Sequence, residues 1–207
     1  LESGGATTAH VPTTGRLTGA LRPGCRVWLE AAENPNRQTP CTLVLSELAE
    51  GGLCSVDATM ANRLFKEALE QGTLKSFPYA KVEAEVPYGR SRLDFRLSEG
   101  EAVCWVEVKS VTYAEDGVGM FPDAPTGRGR KHLGELEKLA SEGQCASVVF
   151  IAQREDAKRF APYERIDPDF ATELRRVSEL GVEVHAYRCD ASTEEVVIAE
   201  EIPVRLS

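Results

Sequence analysis

The chain has 207 residues, of which 42% are hydrophobic, and a formal net charge of −9. That length suits one large domain or a small module beside a medium one. No apolar run approaches the roughly 20 residues that a membrane-spanning helix needs, and residues 1–8 lack the features of a secretory signal. We therefore expect a cytoplasmic protein without a membrane partner. This net negative charge disfavours nonspecific electrostatic binding of nucleic acid over the whole surface. A local basic face that binds nucleic acid is still compatible with such a net charge.

The first part of the chain has the pattern of a small all-β module. Short apolar runs alternate with turn sequences rich in Pro, Gly and Asn, which is typical of strands joined by tight connections. The predicted strands cover 9–11, 26–29, 42–47 and 53–56. The chain starts without an element signal, so the presence of the module's first strand stays open.

At Asp57 the spacing of apolar residues changes from that of strands to that of a helix. Asp57 or Thr59 is the predicted N-cap. The apolar stripe of this helix consists of Ala61, Leu64, Phe65, Ala68 and Leu69. We place the domain boundary here, with one domain over 1–57 and a second over 58–207.

Downstream of this helix, the pattern predicts three hairpin-connected strands, a loop, a helix and a further strand. These elements cover 81–86, 91–97, 102–108, 112–126, 129–141 and 146–152. Another helix over 168–180 and strands over 182–187 and 195–199 extend the sheet. The order helix, three strands, helix, strand is the layout of restriction-endonuclease-like enzymes, so we expect an α/β (α+β) protein with a mixed sheet.

Two acidic residues and a lysine fall on neighbouring strands of that sheet. Alternation puts Asp94 on a polar face and puts Leu93 and Phe95 together on the opposite, apolar face. Glu107 and Lys109 are two residues apart on the next strand, so their side chains project together. Charged residues alternate along any half-exposed strand, and the motif alone is therefore a weak signal. Its position on the second and third strands of this layout strengthens it.

Carboxylates on adjacent strands can hold Mg²⁺ or Mn²⁺. Such a cation neutralises charge on a phosphate and lowers the pKa of a water molecule, while Lys109 would orient or activate that water. The first helix can add a third acid, with Glu67 as the first choice and Glu70, one turn on, as the alternative. We predict Asp94, Glu107, Lys109 and Glu67 as catalytic residues and the three acids among them as metal ligands.

Basic residues around this site are candidates for contact with nucleic acid. The predicted set is Arg16, Arg90, Arg92, Arg128, Arg130 and Lys131, with Arg22 and Arg26 as further positions on the first module. Three of these residues open the helix near 129, whose free amides also favour phosphate. Ordinary solvated surface is the alternative interpretation for the whole set. His132 and Asp123 receive no role, since a packed or exposed helix histidine is the favoured interpretation of the first and an ordinary loop residue is the alternative for the second.

The six cysteines are scattered, without a Cys-x-x-Cys pair, and several lie in apolar runs. This pattern disfavours a zinc knuckle or a disulfide framework. We expect buried, reduced thiols.

Several longer motifs carry a resemblance to a known family. They are Val-Pro-Thr-Thr-Gly-Arg at 11–16, Ala-Asn-Arg-Leu at 61–64, Tyr-Gly-Arg-Ser-Arg-Leu-Asp-Phe at 88–95, Glu-Val-Lys-Ser-Val-Thr at 107–112, Phe-Pro-Asp-Ala at 121–124 and Arg-Gly-Arg-Lys-His-Leu at 128–133. In these motifs the chain resembles the bacterial and archaeal sugar fermentation stimulation proteins over essentially its whole length.

The resemblance implies an N-terminal OB-like β-barrel, a domain of the PD-(D/E)XK nuclease class and a role in binding DNA. The acids of the nuclease signature then fall on Glu67, Asp94 and Glu107, and its lysine falls on Lys109. A metal-dependent nuclease, acting on DNA more than RNA, is the first hypothesis. A DNA-binding regulator without turnover is the second, and an interaction domain is the third. The sequence leaves open whether the substrate is single- or double-stranded and whether it is cut internally or from an end. It also leaves open whether the protein is a homodimer.

Overall fold

The structure is a computed structural model that describes residues 4–13, 15–34, 36–89 and 91–206. Its first part is a four-stranded sheet. The strands are β1 (Ala9–His10), β2 (Val27–Ala31), β3 (Cys41–Glu47) and β4 (Leu53–Ser55). β2 pairs along one edge of β3. β1 pairs with the first residues of β3, and β4 pairs with its last residues. The predicted all-β module is confirmed, and it packs around a small apolar core of Leu17, Ala20, Leu43, Leu48, Cys54 and Val56.

The second part is a six-stranded mixed sheet with helices on both faces. Its helices are α1 (Met60–Glu70), α2 (Gly127–Ser141) and α3 (Pro168–Glu179). The strands in this part are β5 (Lys81–Tyr88), β6 (Ser91–Glu99), β7 (Ala102–Val111), β8 (Tyr113–Glu115), β9 (Val118–Phe121), β10 (Cys145–Ala152), β11 (Arg159–Pro162), β12 (Glu183–Ala191) and β13 (Val196–Glu201). This architecture confirms the predicted α/β (α+β) class.

The large sheet runs in the order β13-β12-β10-β7-β6-β5. β7 pairs with β10 and β10 with β12 in parallel, whereas the outer pairs are antiparallel. Antiparallel neighbours need only short turns, but parallel neighbours need a crossover. The crossovers from β7 to β10 and from β10 to β12 contain α2 and α3 respectively.

Each face of the large sheet has its own apolar core. α1 packs on one face, where the core includes Phe65, Phe95, Val106 and Ile151. α2 and α3 cover the other face, and their inward residues include Leu133, Leu136, Leu139, Phe170, Leu174 and Val177. The sheet is thus buried on both sides, which suits its parallel central strands.

The segment 112–126, predicted as a loop, contains a β-hairpin instead. β8 and β9 pair with each other, and β9 also pairs with β11 in a small three-stranded sheet. The turn between them is Asp116-Gly117, and both residues have positive φ, of 52° and 73°. Asp-Gly is a strong signal for a two-residue hairpin turn because both central residues adopt this conformation. The prediction missed that signal.

Two cysteines form a disulfide, contrary to the expectation of reduced thiols throughout. Cys104 on β7 and Cys145 on β10 are partners across the parallel ladder, with a Cα–Cα distance of 4.4 Å, and are bonded through their sulfurs. The register between two strands 41 residues apart brings them together, and sequence spacing does not reveal it. Among the described residues, Cys25, Cys41, Cys54 and Cys189 are free.

The two parts of the chain are joined by buried polar contacts. The guanidinium of Arg154, which is 4% exposed, donates to the carbonyl oxygens of Gly19 at 3.1 Å and Thr112 at 2.8 Å. The amide of Ser55 also donates to the carbonyl of Gln153 at 3.0 Å. Arg154 is also paired with Asp156. Because buried polar groups need partners, the bond from Arg154 to Gly19 and the bond from Ser55 to Gln153 favour one arrangement of the small sheet against the large one. Within the described ranges, no helix is long and apolar enough to cross a membrane.

Candidate functional site

The site forms where β6 and β7 separate. Their ladder ends at the pair of Phe95 and Val106. Beyond it, the side chain of Asp94 replaces a backbone partner, because its Oδ2 accepts the amide hydrogen of Val108 at 2.8 Å. Leu93 packs in the core under α2 and α3, whereas Phe95 packs in the core under α1. The predicted strict alternation is therefore wrong at Leu93, and the break in the ladder at Asp94 is the reason.

The beginning of α1 holds the other oxygen of Asp94. Asn62 donates from Nδ2 to Asp94 Oδ1 at 2.9 Å. Asp57 Oδ1 accepts the amide hydrogen of Thr59 at 2.8 Å in the turn before the helix, and Thr59 occupies the N-cap position without a side-chain capping bond. Both oxygens of Asp94 thus have a protein donor that fixes the orientation of the carboxylate.

Glu107 presents its two oxygens unequally. The residue is 2% exposed, and its Oε1 accepts hydrogen bonds from Lys109 Nζ and from His132 Nδ1 on α2. Its Oε2 is buried and has no hydrogen-bonding partner among the residues that the structure describes. An unpaired buried carboxylate oxygen is costly. A bound cation is one group that would satisfy it.

Burial and charge shift the pKa values of the two acids in opposite directions. The pKa of Asp94 is raised, mainly because burial disfavours its charged form and also because the negative Glu107 is nearby. Burial would raise the pKa of Glu107 too, but the charge of Lys109 and the hydrogen bond from His132 outweigh it, so this pKa is lowered. These surroundings favour the ionised form of Glu107. An additional positive charge in the site would stabilise the ionised form of Asp94 as well.

A cavity of about 750 Å³ opens over these side chains. Both parts of the chain contribute to its wall. The polar residues around it include Thr13, Asn62, Glu85, Asp94, Glu107, Lys109, Ser110, Thr112, Asp123, Thr126 and Arg128, and Gly15 also lines it. The first module is therefore part of the site, through the loop that follows β1.

That loop is held by Asp123. Its Oδ2 accepts the amide hydrogen of Leu17 at 2.9 Å. Gly15 packs so closely against the same carboxylate that an added Cβ would lie 2.6 Å from both oxygens. Only glycine allows this approach without moving Asp123.

Replacement of Gly15 by Ala tests this contact. We expect a loss of about 2 kcal/mol in the free energy of unfolding, because Asp123 must move and release its charge-assisted hydrogen bond. In an Asp123→Ala background, the same change should be neutral or stabilising by about 0.4–1 kcal/mol through the unfolded state. Urea denaturation of the four proteins measures both effects. Equal costs in the two backgrounds would contradict the proposed contact.

Glu67 does not join the other predicted ligands. It lies on the exposed side of α1, where its Oε1 accepts a hydrogen bond from Gln71 at 3.1 Å. Five residues after Asn62, at about 100° per residue, Glu67 is roughly 140° around the helix from the site. Glu70, the alternative, pairs with Lys66 at 3.6 Å on the surface. The structure therefore brings neither predicted third acid to the cavity, and α1 contributes Asn62 there.

The additional carboxylates around the cavity come from elsewhere. They belong to Glu85 on β5 and to Asp123. Glu85 has a φ of 58° and forms an ion pair with Arg92 at 2.6 Å. A positive φ inside a strand is unusual for a residue with a side chain, and sequence periodicity gives no sign of it.

The predicted basic contacts divide into different groups. Arg128 lines the cavity, while Arg16 and Lys131 are exposed. Arg130 is engaged with the buried Asp167 at 2.9 Å, and Asp167 also caps α3 through the amide of Phe170. Arg130 is thus held by Asp167 at the junction of α2 and α3. The exposed Arg22 and Arg26 lie on the first module, Arg92 is paired as above, and Arg90 falls outside the described residues.

His132 and Asn62 hold the two acids of the site, and the sequence had predicted no role for either. Both stand in motifs that it singled out, within 128–133 and 61–64. Their partners, Glu107 and Asp94, lie 25 and 32 residues away along the chain. The motifs were a usable signal, but the contacts depend on how α1 and α2 dock on the sheet.

Comparison with known proteins agrees with this architecture. Residues 1–56 match the family model described as the SfsA N-terminal OB domain, and residues 59–195 match the sugar fermentation stimulation protein RE domain. By class, the chain is an OB domain followed by an RE domain. It belongs to the sugar fermentation stimulation protein family.

Its relatives include the sugar fermentation stimulation protein homologs of Chloroflexus aurantiacus and Caldanaerobacter subterraneus. The first is 45% identical over 95% of this chain and 76% of its own length, and the second is 42% identical over 97% and 87%. Among solved structures, Pyrococcus furiosus SfsA in complex with Ca²⁺ superposes with a TM-score of 0.88 at 29% identity. That alignment covers 96% of this chain and 86% of the Pyrococcus chain.

Proposed function

We propose that this protein is a divalent-cation-dependent nuclease that hydrolyses phosphodiester bonds in nucleic acid, with DNA favoured over RNA. The observation that carries the proposal is the buried Oε2 of Glu107, which has no hydrogen-bonding partner in the described part of the chain and lies on a cavity that Asp94 shares. Carboxylate oxygens are the ligands that Mg²⁺ and Mn²⁺ prefer. A cation of the same class, Ca²⁺, is bound by the Pyrococcus relative.

The donor set fits a hard divalent cation. Asp94 and Glu107 would hold it, and Glu85 and Asp123 add negative charge around the same cavity. When bound, the cation supplies charge neutralisation at the phosphate and a water molecule with a lowered pKa.

The protein's own groups prepare the site for this chemistry. Lys109 and His132 fix Oε1 of Glu107, which leaves Oε2 on the free side of the carboxylate. Lys109 also carries a positive charge beside the cavity, where it can orient water or a phosphate oxygen. Asn62 holds Asp94 from α1. Such preorganisation lowers the cost of arranging charge during the reaction.

Positive groups beside the cavity favour an anionic polymer. Arg128 lies in its wall, and α2 begins at Gly127 with amides that its own turns do not use. These contacts address phosphates, which position a nucleic acid without reading its sequence. No recognition helix stands out among the described elements, so we expect little base specificity.

A cleavage assay tests the proposal. The full chain is incubated with end-labelled single- and double-stranded DNA and RNA in Mn²⁺, Mg²⁺ or EDTA. We expect cleavage in Mn²⁺ or Mg²⁺ and none in EDTA. Salt-sensitive DNA binding without cleavage in any metal would replace the nuclease with a DNA-binding regulator, and the absence of both would overturn the proposal entirely.

A further inference from the structure

A second cluster of ligand-type side chains lies on the face of the large sheet that packs against α1. Cys104, Cys145 and Glu183 each place one ligand atom within 4.8 Å of the others. They belong to the neighbouring strands β7, β10 and β12, near the start of each strand. In register, Cys145 is opposite Cys104, and Ser147 is opposite Glu183. The register of the sheet therefore brings these three side chains together, as it brings together the two cysteines of the disulfide.

Sulfur and oxygen atoms converge in this cluster. Glu183 Oε2 accepts a hydrogen bond from Ser147 Oγ at 3.1 Å and lies 3.8 Å from Cys145 Sγ. Ser147 Oγ is also 3.5 Å from Cys104 Sγ. Cys104 is buried, Cys145 is partly exposed and Glu183 is exposed, so the cluster is open to solvent from one side.

A histidine supports Glu183 from the adjoining position on β12. His185 Nε2 lies 3.4 Å from Glu183 Oε2, while His185 Nδ1 is 2.8 Å from Glu201 Oε1. Carboxylates that ligate metals are themselves commonly held by hydrogen bonds from neighbouring side chains, and His185 is placed to hold Glu183 in this way.

We propose that this cluster binds one thiophilic divalent cation, of which Zn²⁺ is the model, when the Cys104–Cys145 disulfide is reduced. The ligands are the two thiolates and the Glu183 carboxylate, with water in the fourth position, and His185 positions Glu183. Thiolates select soft and borderline cations such as zinc, whereas Mg²⁺ and Ca²⁺ take oxygen ligands. This site therefore differs from the carboxylate site in both place and preferred metal.

The disulfide and the bound cation exclude each other. Zn–S bonds of about 2.3 Å in a tetrahedral site separate two sulfurs by roughly 3.7 Å, so bonded sulfurs cannot both be ligands. A thiol reductant breaks the S–S bond and supplies two electrons and two protons, becoming a disulfide itself. Cation binding then releases the two thiol protons. Either state links β7 to β10.

Metal binding by the full chain tests the proposal. The protein is reduced with a phosphine, stripped with EDTA and titrated with Co²⁺, whose thiolate charge-transfer absorption reports sulfur ligation. Zn²⁺ bound after dialysis is measured by mass spectrometry. We expect the reduced chain to bind one more equivalent than the chain treated with oxidised glutathione, and the thiolate absorption to be lost in Cys104→Ser and Cys145→Ser. Glu183→Gln, a surface change, should weaken Co²⁺ binding at least about tenfold.

Two matched controls separate this site from other causes. Cys41→Ser removes a free cysteine elsewhere and should keep full Co²⁺ binding. Asp94→Ala removes a ligand of the proposed nuclease site and should keep it too, so failure of one proposal is distinguishable from failure of the other. Circular dichroism checks the fold of each variant. The proposal is overturned if reduced wild type shows no thiolate absorption, or if Glu183→Gln binds Co²⁺ as tightly as wild type does.

Discussion

Replacement of Glu107 by Gln is expected to lower the rate of cation-dependent cleavage by about 10³-fold or more. The change removes the negative charge of the carboxylate whose Oε2 lacks a partner among the described residues. It also leaves Lys109 without the ion pair that the two side chains form. Loss of a bound cation removes several kcal/mol of transition-state stabilisation, and each 1.36 kcal/mol corresponds to about a tenfold change in rate. Initial rates over a range of Mn²⁺ concentrations measure the effect.

Glu67→Gln is the matched control. It makes the same chemical change on α1, where the structure places the side chain on the exposed surface away from the cavity. Cleavage by this variant should remain within about twofold of wild type, as for surface changes away from a site. A comparable loss in both variants would mean that α1 contributes an acid after all. Unchanged cleavage by Glu107→Gln would remove this residue from the site.

Replacement of Phe150 by Ala is expected to lower the free energy of unfolding by about 3–5 kcal/mol, the usual range for a large aromatic residue in a core. Phe150 on β10 is fully buried, and its ring stacks on Phe160 with centroids 4.0 Å apart. It also lies 5.6 Å from the ring of Phe121. Removal of the ring leaves a cavity between the large sheet, β9 and β11.

Urea denaturation followed by tryptophan fluorescence and by circular dichroism measures this loss. Val197→Ala on β13, where the residue is 36% exposed, is the control and should cost less than about 0.5 kcal/mol. A cost below 1 kcal/mol for Phe150→Ala would show that the aromatic contacts around β10 contribute little to stability.

Local pattern was enough to predict most of the elements. Apolar stripes at helical spacing predicted α1, α2 and α3, and alternation with turn residues predicted the strands of the first sheet and of the six-stranded sheet. Asp94, Glu107 and Lys109 could be placed because a hairpin makes neighbouring strands from neighbouring segments. The same local rules missed β8, β9 and β11, although the Asp-Gly sequence is a signal for the turn between β8 and β9.

Contacts between distant segments were beyond the sequence pattern. The rotation of α1 about its axis decides that Asn62 rather than Glu67 reaches Asp94, and spacing does not determine that rotation. The parallel register of β7 and β10 decides that Cys104 meets Cys145. The approach of Gly15 to Asp123 joins residues of different modules. Each of these contacts depends on how separate elements pack against one another. Local sequence patterns do not determine that packing.

Because residues of the first module line part of the cavity, the two domains cannot be separated or exchanged freely. A fragment beginning at α1 would keep Asp94 and Glu107, but it would lose the Leu17 amide that binds Asp123 and the Gly19 carbonyl that binds Arg154. In chimaeras that exchange this module between relatives, the loop after β1 and the residue at position 123 must therefore be matched to each other. The two domains are separate along the sequence, but in space they share one site.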